Sequence, residues 1–155
     1  MNSETAIETF IDLLKQGKSV IHTAEGYSMF PTLKPGDKIL VKSVNETGCP
    51  APGCIVIVLN GNTLIIHRLI EIRYDYQGER LFITRGDSMS EHDSPWHPEQ
   101  LIGVADSFTR RTRKRSISIK TLAELYYKKN RILLWIWFKL RKLRSSVTKV
   151  IADES

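Results

Sequence analysis

Cys54-Ile-Val-Ile-Val-Leu-Asn-Gly-Asn-Thr-Leu-Ile-Ile-His67 decides the fold class. Two runs of branched apolar residues flank Asn60-Gly61-Asn62, and an Asn-Gly pair between such runs signals a hairpin. The same pattern continues outward. Lys38-Ile-Leu-Val-Lys42 lies upstream; the second run extends to Ile72; Leu81-Phe-Ile-Thr84 and Leu101-Ile-Gly-Val104 follow. Pro35-Gly36-Asp37, Pro52-Gly53 and Gln77-Gly78 punctuate the runs as turns. No helical crossover separates them. Ser19 to Phe108 therefore reads as a mainly β, twisted antiparallel body rather than a βαβ sheet.

Helical patterns bracket this body. Ile7, Phe10, Ile11 and Leu14 fall on one stripe, with Thr5 and Glu8 at capping-box spacing and Gly17 as a stop. No second helix and turn follow, which argues against a helix-turn-helix reader of DNA. Arg110-Arg-Thr-Arg-Lys-Arg115 reads as a basic hinge, and Thr121 to Tyr127 as a helix. Between Ile132 and Val147, Leu133, Ile136, Leu140, Leu143 and Val147 repeat at steps of 3 and 4, with Lys139, Arg141, Lys142 and Arg144 opposite. The expected organisation is a body over 1–109 and a basic helical tail over 110–155.

Charge follows the same division. Residues 1–109 carry 9 Lys/Arg and 14 Asp/Glu, a net of −5; residues 110–155 carry 14 and 3, a net of +11. Such a tail suits an anionic partner, and its amphipathic pattern over 132–147 suits a membrane surface or packing on the body equally. Basic charge alone does not specify nucleic acid. The longest apolar run, Ile132 to Phe138, has seven residues, against the roughly 20 a membrane span needs. The opening residues are acidic where a secretory signal would be basic. A cytoplasmic location, peripheral to a membrane, is the expectation. Cys49 and Cys54 flank a Pro/Gly turn and read as two reduced thiols, with a disulfide across the turn as the alternative.

The chemistry concentrates in Gly26-Tyr-Ser-Met-Phe-Pro-Thr-Leu-Lys-Pro-Gly-Asp37. A serine is a weak nucleophile until a base takes its proton. A candidate base lies in Ile66-His67-Arg68-Leu69-Ile70, and candidate carboxylates in Phe82-Ile-Thr-Arg-Gly-Asp87 and Ser-Met-Ser-Glu-His-Asp93. The three boxes, in this order over about residues 24–106, resemble those of the signal-peptidase superfamily, which also includes self-cleaving repressors. Gly26, Ser28, Met29, Pro31, Thr32, Gly36 and Asp37 match its nucleophile box. His67-Arg68 resembles the branch that uses a histidine base in place of lysine.

The resemblance implies a signal-peptidase/repressor-protease-like β body and a serine endopeptidase that cleaves leader or signal-like peptides. Ser28 would be the nucleophile, with its backbone N–H in the oxyanion hole, and His67 the general base. Asp93 matches the aspartate that orients the histidine; Asp87 would brace the site or serve in its place. Met29 and Pro31 would contact substrate, although Met29 and Phe30 equally suit burial. No cofactor is implied, and no metal is expected: His67, His92 and His97 with Asp93 fit no standard zinc spacing. This chain departs from the family in four places. Gly26 carries no second oxyanion hydroxyl, Gly53-Cys54 stands for a Gly-Asp, Ser88-Met89 stands for Asn-Asn, and no membrane anchor is evident. The rival to catalysis is a peptide-binding or membrane-surface regulatory module on the same fold.

Overall fold

The computed structural model describes residues 3–117 together with 132–133, 135–137 and 139–140. Helix α1 (Ser3–Lys15) leads into strands β1 (Val20–Thr23) and β2 (Lys38–Ser43), a short α2 (Val44–Thr47), then β3 (Ile55–Asn60), β4 (Thr63–Tyr74) and β5 (Arg80–Arg85). A 3-10 turn (Pro98–Gln100) precedes β6 (Leu101–Arg110) and β7 (Arg113–Ser116). All pairings are antiparallel. The order is β1-β2-β6-β3-β4-β5, with β7 also on β6. The mainly β, antiparallel expectation therefore holds.

β3 shows why this sheet is stable. Ile55 and Ile57 point into one apolar cluster with Phe10, Leu14, Met29 and Leu33, while Val56 and Val58 point into a second with Leu69, Phe82 and Trp96. Its alternation thus serves two buried faces, each fully buried aliphatic contributing about 1.5–3 kcal/mol. The hairpin forms as read: Asn60 pairs with Thr63, and Gly61 alone of the two turn residues has positive φ (56°), the pattern of a II′ turn.

α1 starts at Ser3, two residues before the capping box expected at Thr5. Glu4 accepts a 2.8 Å bond from Asn62 on the β3–β4 turn, which ties down the extra residues. Its end is as read. Gly17 N–H bonds Leu14 O and Lys18 N–H bonds Leu13 O, both at 3.0 Å, a Schellman closure with Gly17 at φ 73°.

The boundary at 109 needs correction. Arg110 lies inside β6, and Arg113–Ser116 folds back on residues 107–110 as a hairpin. The basic stretch read as a hinge is a strand and its turn, because paired backbone bonds tolerate side chains that are all exposed. The helix read over Thr121 to Tyr127 and the stripe beyond Leu140 lie outside the described residues. The described residues of 132–140 are helical. Among the described residues no helix is long and apolar enough to cross a membrane.

Candidate active site

Ser28 sits in the connection between β1 and β2. The neck of that loop is closed by Ala24 N–H to Asp37 O and Gly36 N–H to Ala24 O, both 2.8 Å. Inside it, Leu33 N–H bonds Met29 O and Phe30 N–H bonds Tyr27 O, both 2.9 Å. Met29 and Leu33 then sink into the core, leaving Ser28 half-buried between them and solvent. Two apolar anchors and a closed neck hold a polar residue at the surface in a fixed pose.

Four further contacts brace the loop. Asp37, buried, accepts from Lys34 N–H at 2.9 Å and from Arg110, whose Nε reaches Oδ1 at 2.9 Å and whose second nitrogen reaches Oδ2 at 2.6 Å. Arg110 also donates to Thr32 O at 3.0 Å. Thr32 donates from its hydroxyl to Asp87. Asp87 is gripped by Arg68 through two 2.7 Å bonds, and Arg68 donates a third, at 2.6 Å, to Gly53 O. Such planar two-point pairing fixes orientation as well as charge.

Below Ser28 runs the segment after β5. Ser88 N–H donates to Ser28 O at 2.9 Å, and the Ser88 hydroxyl lies 2.8 and 2.9 Å from the carbonyls of Tyr27 and Ser28. Gly86 passes so close that a Cβ there would meet Ser28 O at 2.7 Å and Ser28 Cβ at 3.0 Å. Neither the Ser28 hydroxyl nor its N–H is engaged among the described residues.

His67 and Asp93 meet at 2.6 Å, Nδ1 to Oδ2. Asp93 is fixed twice to β5: its N–H bonds Thr84 O at 2.8 Å, and its carboxylate accepts the Thr84 hydroxyl. Trp96 Nε1 donates to the same hydroxyl at 2.8 Å, and Trp96 is itself paired with Phe82 through backbone bonds of 2.9 and 3.0 Å. Burial pushes the Asp93 carboxyl upward, but hydrogen bonds from His67 and Thr84 and the charges of His67 and His92 outweigh it and hold the group below its ordinary value. An ionised Asp93 makes Nδ1 of His67 the protonated nitrogen, leaving Nε2 as the acceptor.

Ser28 and His67 line one cleft of about 790 Å3, together with Glu25, Gly26 and Met29. No hydrogen bond joins Ser28 Oγ to His67 among the described residues; such bonds are often long before substrate binds. Of the two carboxylates read from sequence, Asp93 meets the histidine and Asp87 does not. Met29 lines the cleft while being core-buried; Pro31, read as a substrate contact, does not line it, because the turn after Met29 carries it away. Thr84 and Trp96 carry no role in the sequence reading, and Ser88 enters it only as a departure from the family's Asn.

Other candidates disperse. His92 lies against Arg85, 3.5 Å away, and His97 begins the 3-10 turn. Among the described residues no three His, Cys, Asp or Glu side chains gather as a metal site. Both cysteines are free thiols. The tail reaches the site: the Trp137 ring lies 5.1 Å from that of Tyr27 and 5.9 Å from that of Phe30. No protein-family model matches the chain, and no curated protein matches its sequence.

Proposed function

We propose that the chain is a serine endopeptidase resembling the histidine-base signal peptidases. The observation that carries this reading is the His67–Asp93–Thr84 relay opening into the cleft that Ser28 shares. In the proposed reaction Ser28 Oγ attacks the scissile carbonyl and Nε2 of His67 takes its proton. The Ser28 N–H, which has no partner among the described residues, stabilises the oxyanion. His67 then protonates the leaving amine, and an acyl-Ser28 ester remains. Water, deprotonated by His67, hydrolyses the ester and restores the hydroxyl.

Strand edges supply the binding mode. Among the described residues β1 pairs only with β2, and residues 63–67 of β4 pair only with β3, since β5 joins β4 at Arg68. Both free edges border the cleft, where an extended peptide adds as a strand. The proposed substrate is a leader or signal-like segment with small residues before the cut, as the resemblance implies. The test is digestion of extended peptides near pH 8, read by mass spectrometry beside Ser28→Ala and His67→Ala. Cleavage lost in both variants supports the dyad. A wild type that binds peptides and cuts none would leave the non-catalytic module as the better reading.

One observation favours a surface-bound form of this enzyme. Ile132, Trp135, Ile136 and Leu140 are exposed by 59, 63, 41 and 57 %, and Lys139 lies 4.9 Å above the Trp135 ring. An aromatic, aliphatic and basic face of this kind suits an anionic lipid surface. Trp137 would then hold that surface near Ser28. Sedimentation with anionic and with zwitterionic vesicles separates adsorption from a solvated tail.

A further inference from the structure

The cleft extends well past the reacting groups. It follows β4 from His67 back to Thr63, four strand steps or about 13 Å, and reaches the turn where Asn62 holds Glu4 of α1. Its far wall is helical: Ala6, Ile7, Phe10 and Leu13 face Leu64 and Ile66 across it. Apart from Phe10, these residues are only half-buried. Single exposed apolar residues are ordinary on any surface. Here they are contiguous, concave and continuous with the nucleophile, which is the character of a binding cleft.

Resting on the endopeptidase reading, we infer that α1 and the first half of β4 form a subsite for a bulky apolar side chain of the substrate. The side chain belongs to the Leu, Ile, Met or Phe class and lies about four residues from the scissile bond. All six wall residues are apolar, so an acidic or amide side chain held among them would lose water there, with only the neutral Thr9, Asn62 and Thr63 lining the same stretch of the cleft. The subsite would let the enzyme choose among peptides that share the same small residues beside the cut. α1 is then part of the specificity apparatus as well as a cover for the core.

The test separates binding from turnover. Fluorescein-labelled extended peptides, each with one Leu or Phe swept through a Gly/Ala background, are titrated onto Ser28→Ala and followed by anisotropy. One position should bind roughly tenfold to hundredfold tighter than the background, with Asp at that position no better than Gly. Ala6→Trp, which fills the wall, should erase the preference. Ile7→Gln, a substitution close in volume, should weaken it independently of Ala6→Trp, and Glu8→Trp, on the exposed side of α1, should leave it intact. Matching thermal midpoints certify the fold of each variant. A flat sweep, or a preference that Ala6→Trp and Ile7→Gln both leave unchanged, overturns the subsite. Wild-type cleavage of the tightest peptide then locates the cut. Absence of cleavage there counts against the endopeptidase reading, whereas a flat sweep with an active enzyme counts against the subsite alone.

Discussion

His67 and Arg68 are neighbours on β4, and each takes a carboxylate from the same segment after β5. Strand alternation sends them to opposite faces. On one face His67 and Asp93 keep 12 and 21 % side-chain exposure; on the other Arg68 and Asp87 keep 2 and 8 %. A histidine that must exchange a proton needs a route to solvent. A guanidinium that only holds a loop does not, and burial makes its pairing less dependent on salt. The seven residues from Asp87 to Asp93 thus supply one pair open to solvent and one closed pair; under the endopeptidase reading the first is for chemistry and the second for shape.

Breaking each pair should separate activity from stability. Under the endopeptidase reading, Ser28→Ala or His67→Ala should cost roughly a millionfold in kcat, with thermal midpoints close to wild type. Asp93→Asn should cost about ten-thousandfold, because the amide stabilises the wrong imidazole tautomer; kcat on the best library peptide checks both. Asp87→Ala should act on the other axis. It strands a buried guanidinium, so a stability loss of about 3–5 kcal/mol is expected in urea unfolding. Replacing both partners, Arg68→Met with Asp87→Leu, should recover much of that loss while the nucleophile loop, no longer held through Thr32, remains slow.

Two smaller effects sharpen the contrast. Thr84→Val removes one hydroxyl from both Asp93 and Trp96 and should cost about 1–3 kcal/mol of stability, with a fall in kcat. The pH dependence of unfolding has two arms. Asp93 has a lowered folded pKa, so its contribution is present above about pH 4 and lost as pH falls through the lower folded value. His22 is pushed down by burial, against the opposing pull of Glu25. Its contribution is full above about pH 6.5 and declines below it. His22→Phe should flatten the stability curve between neutral pH and the acid arm, and Asp93→Asn the acid arm itself.

The parts readable from sequence were those with local signals. The central hairpin announces itself through branched runs around Asn-Gly, and the core strands through apolar alternation. β1 and β7 lack such runs: Val20–Thr23 has only four residues, and Arg113–Ser116 is wholly exposed and mostly basic. Pairing with β2 and β6 creates them, which is a tertiary effect. At the site, motif order singles out Ser28 and His67 and puts Asp93 on the histidine, with Asp87 as brace or substitute; the structure pairs Asp93 with His67 and Asp87 with Arg68. Trp96 and Ser88 act on partners 12 and 60 residues away, beyond any local pattern. Arg68 within the apolar run of β4 suggests a carboxylate partner or a surface salt bridge from sequence alone, and its burial selects the first, since a buried guanidinium requires an anion.

Gly86 deserves a last consequence. Its backbone conformation is open to any residue; the space is not, since a Cβ would meet the carbonyl and Cβ of Ser28. Under the endopeptidase reading, position 86 in a set of diverging sequences is therefore a better marker of a working nucleophile than the serine itself. A descendant that keeps Ser28 and exchanges Gly86 for a larger residue has displaced the hydroxyl's platform, and its intact serine box is a fossil.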